Sequence, residues 1–455
     1  MIILPDTLLK DLESVSGFRR SDFLLAHSQP PPTSVRIHPH KDTGRWNDLE
    51  QVPWCTTGRY LPERPVFTLD PAFHAGAYYV QEASSMFLDY AVRSLLNFLP
   101  DVPRVLDLCG APGGKSTLLA AALPEASLLI SNEVIRTRAG ILEENVVRWG
   151  YTNNWVTSND AKDFRSLEGY FDLIVVDAPC SGSGLFRKDP KALEEWSESN
   201  VDLCSQRQQR ILADVWPALK ENGFLIYATC SYSEQENEQI LDWLTHSFHL
   251  TPVPFNLSDN WGVLEAHSRS GLPGYRFFPD RLKGEGFFIA VLQKKKATGG
   301  MKLPRQSLKS DQKLQQQTQG FLKQKDRAFL QHNDVFLTLD PEHLTDFHLL
   351  SRHLYLRKAG LPLGNPSAKE WLPSHELALS IDRSPDIPTL HATREQALKF
   401  LKKEDPGFAP VDRGWFLVSY EEQALGWVKS LGNRFNNYLP RHWRIRMALP
   451  GEDWA

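Results

Sequence analysis

The stretch RVLDLCGAPGGKST at 104–117 decides the fold of this chain. It begins as a short apolar run, continues as a Gly/Pro-rich loop and leads into the helix-forming residues STLLAAAL. Further apolar runs alternate with helix-like segments, one of which has a helical face formed by Ile135, Ala139, Leu142, Val146 and Trp149. The predicted strands are RVLDLC (104–109), SLLISNE (127–133), NWVTSND (154–160), FDLIVVDAPC (171–180), GFLIYATCS (223–231) and, closing the sheet, GEGFFIAVLQK (284–294). This alternation predicts an α/β fold with an open, doubly wound sheet, whose ligands bind beyond the carboxyl ends of the strands.

The loop at 107–117 fits neither of two familiar nucleotide-binding patterns. A P-loop requires glycine five residues before Gly114-Lys115-Ser116, and that position is Cys109. The dinucleotide pattern GxGxxG starting at Gly110 fails because Pro112 occupies the second glycine position. A glycine-rich loop before a helix still favours close approach of a ligand, with an ordinary turn as the alternative.

Acidic residues recur near the ends of successive predicted strands, at Asp107, Glu133, Asp160 and Asp177. Any one of them has a simpler explanation as a helix cap or an exposed charge. Four acidic residues at equivalent positions of successive strands favour a ligand-binding site. Glu133 is suited to accept both hydroxyls of a ribose, and Asp160 lies within reach of an adenine amino group.

Two cysteines share the same predicted edge, Cys180 in DAPCSGSG and Cys230 in ATCSYS. A free cysteine is usually a small buried hydrophobic residue. Both of these, however, follow apolar strands and precede serine, which places them at the ligand-bearing mouth of the sheet. A thiolate in that position is a nucleophile when a nearby positive group lowers its pKa.

Composition excludes several classes of protein. The 455 residues correspond to roughly three domains. The net charge of −4 does not by itself indicate a nucleic-acid binder. No apolar run approaches the roughly 18 residues of a membrane helix, and the N-terminus is unlike a signal peptide. The five cysteines include no CxxC pair, so we expect no disulfide framework and no metal site. We therefore expect a soluble cytoplasmic protein with no membrane partner.

The chain divides into four predicted regions. Residues 1–95 precede the sheet, and 96–296 form the α/β domain. Residues 294–325 carry a net charge of +8 and few apolar side chains, which predicts a basic, flexible linker at 297–325. In the final region, 326–455, short β-like runs predict a small β-barrel near 390–455. Its basic and aromatic side chains are Arg434, Tyr438, Arg441, Trp443, Arg444 and Arg446.

The motifs DLCGAPGGKST, DAPCSGSGLFRKDP and ATCSYSEQENE resemble the Sun-type (RsmB/RsmF-like) RNA cytosine-C5 methyltransferases, most of all the bacterial RsmF branch. FHAGAYYVQEASSM (73–86) and GEGFFIA (284–290) also look like that family. The resemblance covers the first 295 residues well, and the C-terminus is similar to the RNA-binding end of the RsmF branch. Cys109 is one departure, since many relatives carry alanine there.

The resemblance implies a Rossmann-like, class I S-adenosylmethionine-dependent core, an N-terminal RNA-recognition region and a C-terminal α+β or β-barrel (PUA-like) RNA-binding region. Glu133 would hold the ribose of S-adenosylmethionine and Asp160 its adenine, with Asp177 between cofactor and base. The methionine portion would be wrapped by Cys109, Gly110, Ala111, Pro112, Gly113, Gly114 and Lys115. Cys230 would be the nucleophile and Cys180 would serve the release step, as a base or through a water molecule.

The chemistry expected from the resemblance follows from the weak nucleophilicity of cytosine C5. A thiolate that adds to C6 raises the electron density at C5, and Asp177, if protonated, would bond N3. DNA cytosine methyltransferases instead use the cysteine of a Pro-Cys pair, which here would be Cys180. A catalytically inactive RNA-binding ribosome-assembly factor is the alternative from another class. A nicotinamide or nucleoside-triphosphate enzyme is less favoured, because the loop spacing is wrong.

The expected partner is RNA, specifically small-subunit ribosomal RNA or the ribosomal subunit, bound by a monomer. The target base has to be unpaired or flipped into the pocket. Arg36, Arg187, Lys188, the linker lysines and the 434–446 cluster would form a track for the RNA backbone. A solvated loop or tail is the simpler alternative for Arg187, Lys188 and the linker.

Overall fold

The computed structural model describes residues 3–296, 300, 310–323, 326–368 and 370–448. The N-terminal part contains a three-stranded antiparallel sheet of order β2-β1-β3, which lies among four short helices. Its elements are α1 (Asp6–Leu12), α2 (Arg20–His27), β1 (Thr33–Ile37), β2 (Gly58–Leu61), α3 (Pro71–Ala75), β3 (Tyr78–Val80) and α4 (Phe87–Leu95).

The central part is one large sheet of order β10-β11-β12-β8-β7-β4-β5-β6. Its strands are β4 (Arg104–Asp107), β5 (Leu128–Asn132), β6 (Asn154–Thr157), β7 (Phe171–Asp177), β8 (Leu219–Thr229), β9 (Leu250–Pro252), β10 (Leu264–His267), β11 (Pro273–Phe277) and β12 (Phe287–Lys294). Its helices are α5 (Gly114–Ala122), α6 (Arg136–Trp149), α7 (Pro190–Glu195), α8 (Glu198–Val215) and α9 (Glu238–Ser247). Strands β4 to β8 pair in parallel, and β12 runs antiparallel to β8.

The parallel strands β4, β5, β6 and β7 are buried on both faces, which explains their apolar runs. In β7, Leu173 and Val175 point into one hydrophobic cluster, and Ile174 and Val176 point into the other. The chain order reverses between β4 and β7, since β5 and β6 lie on one side and β8 on the other. This reversal is the topological switch point at which such sheets bind ligands.

The predicted doubly wound α/β fold is confirmed, but the predicted edge of the sheet is wrong. Strand β12 does not close the sheet, because β11 and β10 continue it as antiparallel strands. These two were missed because β10 is short with alternating exposure, and β11 begins with Pro273-Gly274.

The C-terminal part adds a four-stranded sheet of order β13-β14-β16-β17 and a strand, β15, that pairs with β6 at the far edge of the central sheet. Its elements are α10 (Gln312–Thr318), β13 (Ala328–His332), β14 (Val335–Leu339), α11 (Leu344–His353), β15 (Leu356–Lys358), β16 (Leu361–Pro366), β17 (Trp371–Pro373) and α12 (His375–Leu379). Side chains of β13, β14 and α11 belong to the same cluster as Leu106 and Ile174, so this part packs directly on the central domain.

The predicted flexible linker is wrong for residues 310–323. Asp311 caps α10 by accepting hydrogen bonds from the N–H groups of Lys313 and Leu314. Leu314 and Leu322 are buried in the cluster that also contains Trp427. A few apolar anchors on a tertiary surface therefore order a segment whose composition alone predicts disorder. The remaining linker residues, apart from 300, lie outside the described residues.

The last elements, in the region of the predicted small β-barrel, form a four-stranded sheet of order β18-β19-β20-β21. They are β18 (Thr389–His391), α13 (Arg394–Lys402), β19 (Gly414–Tyr420), β20 (Gln423–Ser430) and β21 (Phe435–Asn437). Among the helices of the described residues, none combines the length and the apolar character that a membrane crossing requires.

Candidate active site

The loop that joins β4 to α5 is held in a tight turn by its glycines and by one buried carboxylate. Gly113, the N-cap of α5, has φ of +117°, which residues with a Cβ rarely adopt. A Cβ at Gly110 would lie 2.7 Å from Ser116 Oγ. That hydroxyl donates a 2.6 Å hydrogen bond to Asp107 Oδ2. The loop backbone is therefore fixed close to the end of β4.

A cavity of about 600 Å³ lies at the carboxyl ends of β4, β5, β7 and β8, at the switch point. Of the predicted site residues, its wall includes Cys109, Ala111, Glu133, Asp160, Asp177, Cys180 and Cys230. The wall does not include Gly110, Pro112, Gly113, Gly114 or Lys115, which belong to the loop and the first turn of α5. The sheet thus brings together the acidic and thiol groups that are far apart in the chain.

Glu133 and Asp160 lie on one side of this cavity. The Glu133 side chain is buried, and its Oε1 accepts a 2.9 Å hydrogen bond from the Ile135 N–H. Its Oε2 lies 3.5 Å from an Arg138 nitrogen. The prediction that Asp160 ends a strand is wrong. Asp160 caps the 3-10 helix at 161–166 and accepts a 3.1 Å hydrogen bond from the Lys162 N–H.

The residues of this side fit S-adenosylmethionine. Glu133 presents a buried carboxylate to the cavity, suited to the two hydroxyls of a ribose. Ile135 and Ala161 provide apolar surface for a flat base, and Asp160 provides an acceptor for its amino group. The loop between Cys109 and Gly113 presents backbone beside the first turn of α5 to the amino-acid portion.

Asp107 has no exposed surface, and its Oδ1 has no hydrogen-bond partner among the described residues. Burial raises the pKa of Asp107 to about 7, although the hydrogen bond from Ser116 opposes the rise. Burial also raises the pKa of Cys109, so that thiol stays protonated and is no rival nucleophile at the cavity wall.

Lys115 makes an ion pair that the sequence did not indicate. Its Nζ donates a 2.7 Å hydrogen bond to Asp177 Oδ2. Burial alone lowers the pKa of Lys115, but the Asp177 carboxylate outweighs that effect and the pKa is raised. Lys115 is therefore a fixed ammonium group, and Asp177 accepts a hydrogen bond from it. A neutral, proton-donating Asp177, which we considered from the sequence, does not match this pairing.

The thiols of Cys180 and Cys230 lie 3.0 Å apart. The hydrogen bond to Cys230 raises the pKa of Cys180 well above its ordinary value, and burial adds to the rise. Either sulfur can donate in this contact. Cys230 also lies within electrostatic range of the Lys115 ammonium.

Several residues of the site were missed by sequence reasoning. Asn132 at the end of β5, Arg138 in α6 and Arg207 in α8 also line the cavity, but as single polar residues they follow no recognisable spacing. Glu236 is buried behind the two cysteines and bonds to the serines that follow them. The only signal for it was its place in ATCSYSEQENE.

Two of the arginines predicted to contact RNA are buried instead. Arg36 is 1% exposed, donates a 2.6 Å bond to Thr117 Oγ1 and lies over the Trp149 ring at 4.4 Å. The side chain of Arg187 is 6% exposed and forms a 2.9 Å ion pair with Glu285. Both stabilise packing between distant segments. Lys188 is exposed.

The predicted basic cluster of the C-terminal sheet is largely at the surface. Arg434, Arg441, Arg444 and Arg446 are exposed and form no ion pair in the described part of the chain. Trp443 is half-buried and lies against the ring of His375 at 4.6 Å. This region therefore presents free guanidinium groups beside an aromatic ring.

Comparison with known proteins identifies three family domains in the chain. Residues 95–293 match the family described as 16S rRNA methyltransferase RsmB/F. Residues 4–83 match the N-terminal domain of 16S rRNA methyltransferase RsmF, and 387–445 match the methyltransferase RsmF PUA domain.

Full-length relatives agree with these matches. Ribosomal RNA small subunit methyltransferase F of Aliivibrio fischeri (strain MJ11) is 30% identical over 97% of both chains. The protein of the same name from Psychromonas ingrahamii is 32% identical over 86% of this chain and 85% of its own.

Solved structures show the same fold. A methyltransferase homolog protein from Pyrococcus horikoshii has a TM-score of 0.52 at 25% identity, covering 64% of this chain and 100% of its own. NSun6 from Pyrococcus horikoshii, solved with SFG, has a TM-score of 0.53 at 19% identity and covers 64% of this chain and 98% of its own. The likeness to NSun6 concerns the fold alone.

Proposed function

Since this chain belongs to the RsmF-type family of 16S rRNA methyltransferases, we propose that it methylates C5 of a cytosine in small-subunit ribosomal RNA. The chain is an S-adenosylmethionine-dependent methyltransferase. We expect the protein to work in the cytoplasm as a monomer.

The observation that carries the proposal is the pair of thiols 3.0 Å apart at the wall of the cavity, beside the Lys115–Asp177 ion pair. An RNA methyltransferase that modifies a more nucleophilic atom, such as a base nitrogen, needs no cysteine nucleophile. Cytosine C5 does need one, because it becomes reactive only after a nucleophile has added to C6.

In the proposed reaction, the Cys230 thiolate adds to C6 of the flipped cytosine. The electron pair of the C5–C6 bond moves toward C5 and N3, and the Lys115 ammonium stabilises the developing negative charge as a hydrogen-bond donor. Asp177 holds that ammonium and accepts from the exocyclic amino group of the base. In this scheme Lys115, and not a protonated Asp177, stabilises the charge on the base.

When bound, S-adenosylmethionine supplies the methyl group that C5 accepts. A base then removes the proton from C5, the C6–sulfur bond breaks and Cys230 leaves as a thiolate. Because the pKa of Cys180 is raised, we assign that proton to a water molecule positioned by Cys180. The cofactor would be held by Glu133, Asp160 and the loop at 109–115.

RNA would reach the cavity across basic surfaces of two regions. Arg207 is exposed at the cavity wall, and Lys188 is exposed on the loop that follows Cys180. The arginines of the C-terminal cluster would bind phosphates farther along the strand, with Trp443 available for stacking.

A covalent trap tests the nucleophile. Wild type, Cys180→Ala and Cys230→Ala are each incubated with S-adenosylmethionine and small-subunit RNA that contains 5-fluorocytosine, then run on a denaturing gel. Fluorine at C5 prevents the final proton removal, so the nucleophile stays attached to its base. We expect an adduct with wild type and Cys180→Ala, and none with Cys230→Ala.

The other outcomes separate the alternatives. An adduct with Cys230→Ala but not with Cys180→Ala would assign the nucleophile to Cys180, as in DNA cytosine methyltransferases. If none of the three proteins forms an adduct and wild type transfers no tritiated methyl group to RNA, the catalytically inactive assembly factor is favoured.

A further inference from the structure

A buried carboxylate behind the two thiols takes no part in the steps described above. Glu236 ends the 3-10 helix at 234–236 and is 0% exposed. Its Oε1 accepts hydrogen bonds from the Ser181 N–H at 2.8 Å and the Gln208 side-chain amide at 3.2 Å. Its Oε2 accepts bonds from the hydroxyls of Ser181 and Ser231, both at 2.5 Å. All four contacts are made by donors, so both carboxylate oxygens are fully engaged.

The two serines directly follow the two cysteines in the chain, Ser181 after Cys180 and Ser231 after Cys230. One side chain therefore bonds both loops at the residue next to each thiol. The loops have other links, such as the 2.8 Å bond from the Gly184 N–H to the Cys230 carbonyl. The hydroxyls of Ser181 and Ser231 also lie 3.3 Å from each other, and the Glu236 carboxylate accepts a hydrogen bond from each of them.

We propose that Glu236 is a positioning residue that clamps the Cys180 loop to the Cys230 loop and fixes the separation of their thiols. Its importance for methyl transfer rests on the proposed function, which needs both thiols at one base. The clamp itself does not depend on that function. Buried, charge-assisted bonds are strong enough for this purpose, because an unpaired buried partner is costly.

The charge of Glu236 has a second effect that distinguishes the clamp from mere packing. Glu236 and the Cys230 thiol act on Cys180. Asp177 lies with the two thiols on the cavity wall, and its partner Lys115 interacts electrostatically with Cys230. A negative charge on Glu236 disfavours a thiolate on Cys180. Glu236→Gln keeps the shape and removes the charge, whereas Glu236→Ala removes both.

How closely the two thiols are held can be tested without RNA, from the rate at which diamide, a diazene reagent, oxidises them. Diamide accepts two electrons and two protons, and the two thiols become a Cys180–Cys230 disulfide while diamide is reduced to the hydrazine. Peptide mapping by mass spectrometry follows the reaction in wild type, Glu236→Ala, Glu236→Gln and Glu234→Gln. Glu234 lies on the same 3-10 helix with a side chain that is 40% exposed, which makes Glu234→Gln the matched control.

We expect Glu236→Ala to form the disulfide about tenfold more slowly than wild type at every pH, because its loops lose the four bonds to Glu236 and hold the two thiols less firmly. Glu236→Gln should form the disulfide at a maximal rate near that of wild type. Its pH profile should shift to lower pH, because the negative charge that disfavours a thiolate on Cys180 is gone. Glu234→Gln should match wild type. An unchanged rate in Glu236→Ala, or an unchanged pH profile in Glu236→Gln, would overturn the proposal.

Methyl transfer gives the second measurement. In Glu236→Ala we expect kcat to fall about 100-fold, with KM for RNA and Kd for S-adenosylmethionine unchanged. Slower crosslinking in Glu236→Ala together with an inactive wild type would count against the proposed function and for the clamp. If Glu236→Ala does not fold, Ser231→Ala removes one of the four bonds, and a crosslinking rate equal to wild type there would contradict the clamp.

Discussion

Lys115 shows how one contact changes the role of a residue. The sequence resemblance placed Lys115 among the cofactor contacts, whereas the structure pairs its ammonium with Asp177 at 2.7 Å. We predict that Lys115→Met lowers single-turnover methyl transfer by about 100-fold, because the developing charge on the base loses its donor. Calorimetry should find the affinity for S-adenosylmethionine little changed.

Lys162→Met is the control for this variant, since Lys162 is exposed on the neighbouring 3-10 helix. A large loss of cofactor affinity in Lys115→Met with a normal rate at saturation would restore the role implied by the resemblance.

Asp107 should make stability depend on pH. Its pKa is about 3.9 in an unfolded chain and is raised to about 7 here, so the folded state binds a proton that the unfolded state has lost. Wild type therefore loses unfolding free energy relative to Asp107→Asn as pH rises from 4 to 7, and the loss is complete above that window. The difference between the two proteins should change by up to about 4 kcal/mol. Urea unfolding at several pH values measures it; a difference that stays constant would contradict the raised pKa.

Helix α8 is the element that borders the cavity from outside. Arg207 is exposed at the cavity wall, and Leu203, one turn earlier, is 60% exposed. Arg207 forms no ion pair with any described residue. We predict that Arg207→Gln weakens RNA binding and lowers the salt dependence of log Kd by about one unit, because one phosphate contact is lost. Fluorescence anisotropy with labelled RNA measures both quantities.

The control for α8 is Arg352→Gln, which removes an exposed arginine from α11. The same loss of affinity in both variants would mean that RNA senses the overall charge of the protein and not a contact at the cavity.

The strands and helices of the central sheet could be predicted because the local pattern of apolar residues reflects which of their faces are buried. Strand β7 is apolar from Leu173 to Val176 since both faces are covered, and α6 repeats its apolar residues with helical spacing. Strand β15 could not be predicted, because its three residues Leu356–Lys358 gain their structure only by pairing with β6. The same applies to α10, whose anchor Leu314 is buried by side chains from distant strands.

In the site, the cysteines and strand-end acids could be predicted from sequence, while the partners of charged side chains could not. Arg36 and Arg187 carry the same charge as a phosphate-binding arginine. What makes them structural is Thr117 for one and Glu285 for the other, each about a hundred residues away in the chain. Glu236 was missed for the same reason, since its bonds to Ser181 span separate strands.

The buried amino group of Lys41 contacts all three parts of the molecule. Lys41 Nζ donates to the carbonyls of Ala75 at 3.1 Å, Arg148 at 2.9 Å and Leu379 at 2.7 Å. These carbonyls lie at the C-terminal ends of α3, α6 and α12, one helix from each of the three parts of the chain. Burial, followed by the nearby guanidinium groups of Arg383 and Arg148, lowers the pKa of Lys41. The amino group remains a hydrogen-bond donor to carbonyls that the helix ends leave unpaired.

We predict that Lys41→Met loosens all three helix ends together, since it leaves three buried carbonyls without a donor at a cost of about 3 kcal/mol. Hydrogen exchange followed by mass spectrometry should show faster exchange at the C-terminal turns of α3, α6 and α12, and unchanged exchange in the buried strand β7. Lys10→Met is the control, because Lys10 is exposed on α1. Faster exchange at only one of the three helix ends would mean that Lys41 stabilises that helix locally and does not join the parts of the molecule.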